Sequence, residues 1–141
     1  MPTRKADATW NGDLKSGIGL MELGSGAFKC PFSFQSRMED GIGTNPEELI
    51  GAAHAGCFSM QFSAMLAAGG HVPTSVHTTA SVHFGPSDGG FSITSIDLVT
   101  EAVVPGLDDK TFQQTANAAK TACPVSKALS AIPITLTATL K

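Results

Sequence analysis

The chain has no Asp, Glu, Lys or Arg between Glu48 and Asp88. The first part of this uncharged stretch belongs to residues 45–70, NPEELIGAAHAGCFSMQFSAMLAAGG, which are predicted to form one long helix. Asn45 suits the N-cap, Pro46 suits the first helical position, and the two glycines at the end suit a helix C-terminus. Because apolar residues cover more than one face, this helix must be covered on nearly all sides.

The same helix has the length of a membrane span, since residues 49–68 carry no formal charge. However, these residues include two glycines, a histidine, a glutamine and two serines, and much of the apolar content is alanine. No Lys or Arg flanks either end closely. We therefore predict a buried helix of a soluble protein. Gly51, Ala52, Ala55 and Gly56 are small enough to let a second helix approach closely.

Composition limits the class of protein further. A length of 141 residues suits one domain with one sizeable core. The net charge of −3 gives no electrostatic reason to expect binding to nucleic acid or to an anionic membrane surface. Three cysteines are too few for a disulfide scaffold, and the N-terminus shows no apolar segment typical of a secretion signal. We therefore expect reduced thiols and a cytoplasmic location.

Short patterned segments before and after the long helix predict an α+β fold in a single domain over residues 1–141. The predicted elements are an N-terminal β-meander (1–35), a polar connection (36–44), the central helix (45–70), an antiparallel β-hairpin (74–104), helices (108–129) and a final strand (132–140). Within the hairpin the apolar phase shifts between Ile93 and Ile96, which predicts a bulge near Thr94–Ser95.

Cys57 lies near the middle of the uncharged helix, where a free cysteine is most often a small buried hydrophobe. His54 precedes it by three residues and shares its helical face. This spacing raises two alternatives, a Cys–His nucleophilic pair and a pair of metal ligands. Neither is strong, because a nucleophilic pair depends on tertiary geometry and zinc needs more ligands than the sequence supplies.

Other candidate residues have an ordinary interpretation beside the functional one. Cys123, in ACPVS, sits at the N-cap of a short helix, where free N–H groups favour a thiolate, but it could equally mark a helix break without a role. Cys30, in FKCPF, is expected to be a strand residue without chemistry. Glu47 needs no function in a first helical turn, and Arg37 suits a solvated surface.

Two long motifs make the sequence identifiable. GTNPEELIGAAHAGCFSM, followed much later by VPGLDDKTFQQTANAAKTACPVSKAL, closely resembles the OsmC/Ohr family of organic hydroperoxide reductases, the OsmC branch in particular. The N-terminal TWNGDLKSGIG and the hairpin GGFSITSIDLVTEAVVPG fit as well, so the resemblance covers essentially the whole chain.

The resemblance implies a role for each of four residues, and the sequence departs from the family pattern at none of them. Cys57 matches the peroxidatic cysteine and Cys123 the resolving cysteine. Arg37 and Glu47 match the pair that activates the thiol. It also implies an intertwined homodimer of antiparallel sheets around the central helices, with each active site drawing on both subunits.

That assignment explains the uncharged helix in physical terms. Desolvation raises the pKa of a buried thiol, so a cation must lie close to the sulfur, and Arg37 held by Glu47 is the candidate. Uncharged surroundings strengthen this attraction and offer apolar surface, Phe58 and Met60 among it, to an alkyl or aryl hydroperoxide. Cys123 then captures the Cys57 sulfenic acid as a disulfide.

The leading function is therefore a thiol-dependent peroxidase for organic hydroperoxides in oxidative-stress defence. It needs no cofactor or metal, but it requires an external dithiol, which the family suggests is a lipoyl-bearing protein. One alternative is a non-catalytic dimer that binds a hydrophobic ligand or senses redox state. Another is a cysteine hydrolase using Cys57 and His54, although a hydrolase needs neither Cys123 nor Arg37.

Overall fold

Two three-stranded sheets and four helices make up the computed structural model, which describes residues 1–141. This composition confirms the α+β class. The chain divides into two units, Met1–Leu49 and Ile50–Lys141, and the boundary falls just after the start of the long helix. The single domain over residues 1–141 stays a prediction, and each unit is described by itself.

The first unit contains an antiparallel meander followed by a short helix. Its elements are β1 (Ala6–Asn11), β2 (Ile18–Leu23), β3 (Lys29–Phe32) and α1 (Phe34–Met38). Helix α1 was not predicted, because residues 36–44 read as a polar connection. It forms because Ser33 and Ser36 make a capping box, in which each hydroxyl accepts a hydrogen bond from the backbone N–H of the other.

Helix α2 spans Pro46–Ala68 and begins as its sequence predicts. The Asn45 side-chain oxygen accepts a hydrogen bond from the Glu48 N–H at 2.8 Å, which confirms Asn45 as the N-cap. At the other end Gly70 has a φ of +87°, a left-handed conformation that glycine adopts without strain. By length and composition α2 is the one helix that could cross a membrane.

Helix α2 is only partly buried within the chain. Only 28 % of its most apolar window is buried, so the cover on nearly all sides that the sequence predicts is not supplied by this chain alone. One face packs on the second unit's sheet: a Cβ added at Gly51 would lie 3.3 Å from the Ala80 carbonyl oxygen. The opposite face is open, and Gly56 and Met60 are exposed there.

The second sheet lies in the second unit and consists of β4 (Ser75–Ser87), β5 (Gly90–Val103) and β6 (Ile134–Leu140). Strands β4 and β5 form the long antiparallel hairpin. His83 pairs with Ser95 and Phe84 pairs with Ile93, so Thr94 is an extra residue in β5. This confirms the predicted bulge.

Strand β6 corrects the expectation of purely antiparallel sheets, because it pairs parallel with β5. A parallel neighbour requires a long crossover, and two helices between β5 and β6 supply it. They are α3 (Asp109–Ala122) and α4 (Pro124–Ala128). Asp108 caps α3 by accepting a hydrogen bond from the Thr111 N–H at 2.9 Å.

The core of the second unit lies between its sheet and helices α2 and α3. Three phenylalanines form its centre: the rings of Phe58 and Phe62 are 5.6 Å apart, and those of Phe62 and Phe112 are 5.2 Å apart. All three side chains are fully buried, together with Ile96 and Leu98 of β5. Well-packed aromatic clusters of this kind fix neighbouring side chains, which here include the thiol-bearing part of α2.

Candidate active site

The two cysteines of the second unit are in contact. Cys57 lies near the middle of α2, and Cys123 ends α3 and precedes α4. Because Pro124 follows it, Cys123 adopts an extended ψ of 122°, and α3 stops there. Its sulfur lies 2.9 Å from the Cys57 sulfur, although both thiols are free. Because the two sulfurs are already in contact, only small movements are needed to form or open a disulfide. Cys123 is fully buried, whereas Cys57 is partly exposed.

The surroundings shift the two thiols in opposite directions. Burial raises the pKa of Cys57, and the contact with Cys123 raises it further, against one opposing hydrogen bond from the Val125 N–H. Burial alone would also raise the pKa of Cys123, but hydrogen bonds from Cys57, from the Ser126 N–H and hydroxyl and from the Val125 N–H outweigh it and lower that pKa. More hydrogen-bond donors act on the Cys123 sulfur than on the Cys57 sulfur, so the pKa of Cys123 is lowered while that of Cys57 is raised.

The first unit holds an arginine–carboxylate pair. Arg37 Nη2 donates to Glu47 Oε1 at 2.7 Å, and Arg37 Nε contacts both carboxylate oxygens at 3.1 and 3.2 Å. The Glu47 side chain is only 10 % exposed, whereas that of Arg37 is 39 % exposed. The carboxylate therefore sits largely out of water and fixes the plane of a guanidinium that still reaches solvent.

The capping interactions of α1 and α2 explain this placement. Arg37 is in the last turn of α1, and Glu47 is in the first turn of α2. The Ser36 hydroxyl donates to the Thr44 carbonyl at 2.7 Å, and the Asn45 amide donates to the Ser36 carbonyl at 3.1 Å. These bonds tie the end of one helix to the start of the next, so the two charged side chains meet.

The structure thus brings the four predicted residues together as two pairs, Arg37 with Glu47 and Cys57 with Cys123. The first pair belongs to the first unit and the second pair to the second unit. Cys30, in β3, is partly buried and takes part in neither pair. No cluster of three or more His, Cys, Asp or Glu side chains is arranged to hold a metal ion.

His54 and Ser126 were not predicted to interact. His54 is fully buried, and its Nε2 lies 2.7 Å from the Ser126 hydroxyl oxygen, while its Nδ1 has no partner. Burial lowers the pKa of His54, which keeps the imidazole neutral. The hydrogen bond to Ser126 engages one imidazole nitrogen, which gives no support to a Cys57–His54 nucleophilic pair. The available signal was spacing: each residue lies three positions from a cysteine, His54 before Cys57 and Ser126 after Cys123.

Comparisons with known proteins agree with the fold and with the motifs. A protein of Escherichia coli K12 named peroxiredoxin OsmC is 50 % identical over 139 residues, which cover 98 % of this chain and 96 % of the relative. An organic hydroperoxide resistance protein of Xanthomonas axonopodis pv. citri is 37 % identical over 99 residues, or 69 % of this chain and 68 % of the relative.

Among solved structures, an organic hydroperoxide resistance protein from Elizabethkingia anophelis superposes with a TM-score of 0.75. The alignment covers 99 % of each chain at 22 % identity, so this likeness concerns the fold alone. The profile of the family described as OsmC-like protein matches residues 39–137, which include Glu47, Cys57 and Cys123. With that match and the 50 % identity to the Escherichia coli protein, the chain belongs to the OsmC family.

Proposed function

We propose that this chain is a cysteine-based peroxidase that reduces organic hydroperoxides to alcohols. The observation that carries the proposal is the contact between the Cys57 and Cys123 sulfurs, 2.9 Å apart with both thiols free. A pair of thiols at this distance can pass between dithiol and disulfide without rearranging the fold. The names of the relatives, a peroxiredoxin and an organic hydroperoxide resistance protein, support this chemistry.

The reaction begins at Cys57, which is partly exposed, whereas Cys123 is fully buried. The Cys57 thiolate attacks the terminal oxygen of the hydroperoxide, and the O–O bond breaks. The sulfur keeps the OH group as a sulfenic acid, and the alkoxide takes up a proton and leaves as an alcohol. Cys123 then attacks the sulfenic sulfur, which forms the disulfide and releases water.

Arg37 and Glu47 have the proposed role of stabilising the Cys57 thiolate. Burial raises the pKa of Cys57, and the stretch from residue 49 to residue 87 offers no charge to oppose it. A guanidinium held in one plane by a buried carboxylate can donate in a fixed fork to a thiolate and to a peroxide oxygen together, a geometry that an ammonium group lacks. The bidentate geometry of the Arg37–Glu47 pair supports this role.

The proposed substrate is an alkyl or aryl hydroperoxide, since the residues around Cys57 are uncharged. The sequence suggested that Phe58 and Met60 both contact the substrate. Phe58 is fully buried in the core, so it has no free surface for a substrate. Met60 is 77 % exposed and remains a candidate.

We also propose that the protein is a homodimer. Small and apolar side chains along α2 are exposed in the single chain, including Ala52, Ala53, Gly56, Met60 and Ala64. Nothing lies within 4 Å of a Cβ placed at Gly56, so another helix could approach closely there. Obligate interfaces of this type bury upward of ~2,000 Å². Ultracentrifugation at micromolar concentration should therefore give a dimer, and a monomer would refute the proposal.

The proposed cycle needs an external dithiol, because one oxidation converts Cys57 and Cys123 into a disulfide and leaves no thiol to react with a second hydroperoxide. The dithiol reduces the Cys57–Cys123 disulfide and is itself oxidised to a disulfide, which restores both thiols. Small dithiols and a lipoyl-bearing protein are the reductants proposed, and no resident cofactor takes part. The proposed location is the cytoplasm, where thiols are kept reduced.

Intact mass after one equivalent of cumene hydroperoxide tests the function. The peroxidase should lose two hydrogens, release cumyl alcohol and turn over when a dithiol is added. A non-catalytic binding protein would keep its mass. Parallel assays with several dithiols and monothiols should show activity with dithiols, which can reduce a disulfide without leaving a mixed disulfide behind.

A further inference from the structure

His54 is an unusual core residue. It is fully buried on α2, yet one of its two ring nitrogens has no hydrogen-bond partner. A buried polar atom without a partner costs roughly 1–3 kcal/mol, which a leucine or phenylalanine at the same place would avoid. The other nitrogen makes a 2.7 Å hydrogen bond with Ser126, so this interaction is the one thing that the imidazole provides and an apolar side chain cannot.

Ser126 connects this imidazole to the thiols. It lies in α4, three residues after Cys123, and it is buried. Hydrogen bonding by its backbone N–H and by its hydroxyl lowers the pKa of the Cys123 thiol. The sulfur of Cys123 in turn contacts that of Cys57. A continuous series therefore runs from His54 through Ser126 to Cys123, all three of them buried, and from Cys123 to the partly exposed Cys57, all within the second unit.

We propose that His54 is a positioning residue that acts through Ser126 on Cys123 and speeds closure of the Cys57–Cys123 disulfide. In this arrangement Nε2–H of His54 donates to the Ser126 oxygen. The single hydroxyl hydrogen of Ser126 is then directed to the Cys123 sulfur. The inference rests on the proposed peroxidase function and adds two residues to it.

The direction of the hydrogen bonds follows from charge and burial. Burial keeps the imidazole neutral, so only one of its two nitrogens carries a hydrogen. We assign that hydrogen to Nε2, because Nε2 is the nitrogen that has a hydrogen-bond partner. The unpartnered Nδ1 then holds a lone pair. The groups that act on the Cys123 sulfur are Cys57, Ser126 and Val125, with no charged side chain among them. Loss of the Ser126 hydroxyl therefore removes one of the few groups that stabilise this thiolate.

The step that benefits is the second half of the oxidation. The Cys123 thiolate attacks the sulfenic sulfur of Cys57, an S–S bond forms, and the S–O bond breaks. The leaving hydroxide takes the proton that Cys123 gave up, so the products are one disulfide and one water. A hydroxyl that stabilises the thiolate of Cys123 raises the fraction of molecules ready to attack.

Rapid quenching with mass analysis separates the two oxidation steps. After one equivalent of cumene hydroperoxide, gain of one oxygen marks the sulfenic acid and loss of two hydrogens marks the disulfide. Ser126→Ala and His54→Leu should slow disulfide closure about tenfold, which corresponds to ~1.4 kcal/mol, and should change sulfenic acid formation by less than about twofold. His54→Gln should recover most of the closure rate, because an amide N–H can replace Nε2–H.

A second readout distinguishes positioning from packing. In a Cys57→Ser background, alkylation of Cys123 against pH should have a higher midpoint in Ser126→Ala and in His54→Leu, and a nearly normal midpoint in His54→Gln. Ser59→Ala is the matched control. It removes a hydroxyl from α2 that bonds to Thr78 at 2.8 Å, so it should leave both measurements unchanged.

Unchanged closure and an unchanged Cys123 midpoint in Ser126→Ala would overturn the inference while the peroxidase function stands. Failure of the wild type to form any sulfenic acid or disulfide would instead overturn the function itself. If His54→Leu does not fold, Ser126→Ala and His54→Gln still decide the matter. Slow closure in His54→Gln, equal to that in Ser126→Ala, would likewise refute a role for the Nε2 donor.

Discussion

The two pairs that make up the proposed active site are stabilised in opposite ways. Arg37 and Glu47 are joined by charge, with the arginine 39 % exposed and the carboxylate largely covered. Cys57 and Cys123 are in contact, and Cys57 lies in a stretch, residues 49 to 87, that has no charged side chain. The charged pair thus lies in the first unit, and the two contacting sulfurs lie in the second. The ion pair should then act on the first oxidation step alone, whereas the thiol pair takes part in both steps.

The largest effect is expected at the thiol pair. Cys57→Ser should lower peroxide reduction by about 10³-fold or more, because it removes the nucleophile. Cys123→Ser should still reduce one equivalent of hydroperoxide and then stop at the sulfenic acid. Stopped-flow kinetics and intact mass measure both. Equal first-step rates in Cys57→Ser and wild type would show that the peroxide reacts elsewhere.

At the ion pair a smaller effect is expected, and it should be confined to the first oxidation step. Arg37→Lys and Glu47→Gln should each slow the first oxidation by about tenfold or more with the fold intact, since a charge-assisted hydrogen bond contributes about 1.5–3 kcal/mol. Disulfide closure, once the sulfenic acid has formed, should keep its rate. A lysine variant with full first-step activity would mean that charge alone suffices and that the planar fork is unimportant.

Removal of Cys123 and removal of Arg37 should shift the pKa of the Cys57 thiol in opposite directions. Contact with Cys123 contributes to raising the pKa of Cys57, so Cys123→Ser should move the alkylation midpoint of Cys57 to lower pH. Arg37→Ala should move it to higher pH, because a cation no longer offsets desolvation. Peptide mapping after alkylation assigns each midpoint to one cysteine, and Arg37→Ala is best measured on the Cys123→Ser background. An unchanged midpoint there would remove Arg37 from the mechanism.

Substrate preference tests whether the uncharged surroundings of Cys57 form an apolar substrate site. Bulky organic hydroperoxides should exceed hydrogen peroxide by roughly tenfold in kcat/KM, since one small apolar contact provides about 1.4 kcal/mol. Met60→Ser should reduce this ratio. Val72→Ser is the control, because Val72 is also exposed but lies outside α2, and it should leave the ratio unchanged. Equal or better turnover of hydrogen peroxide would contradict an apolar substrate site.

Local signals made much of the fold predictable. The N-cap at Asn45, the hairpin and the bulge at Thr94 each follow from a few neighbouring residues, and the structure has all three. The parallel pairing of β6 was missed, because strand direction depends on where the crossover helices return the chain. Helix α1 was missed as well, since its five residues lie in a segment rich in charge and glycine and depend on the Ser33–Ser36 capping box.

The candidate site was predictable to a different extent. Its four residues came from a resemblance of motifs, because a separation of 66 positions between Cys57 and Cys123 says nothing about distance. The hydrogen bond between His54 and Ser126 joins residues 72 positions apart, and no motif in the sequence indicated it. The open face of α2 agrees with the sequence, whose small residues along this helix predict that a second helix approaches it. The identity of that second helix could not be predicted from the apolar pattern, because the pattern is the same whether its own chain or another chain covers the helix.

The smallest predicted effect compares two helix caps, Asn45 next to the ion pair and Asp108 at the end of α3 opposite to Cys123. Asn45→Ala removes the acceptor for the Glu48 N–H and the amide that bonds to the Ser36 carbonyl next to Arg37. It should lower the free energy of unfolding by about 1 kcal/mol. It should also slow the first oxidation by roughly two- to threefold, because the same bonds hold Arg37 opposite Glu47.

Asp108→Ala removes the cap of α3 and should also destabilise the fold, but without touching the ion pair. Urea unfolding and stopped-flow oxidation separate the two consequences. If both variants slow the first oxidation equally, general stability and not the position of Arg37 sets that rate.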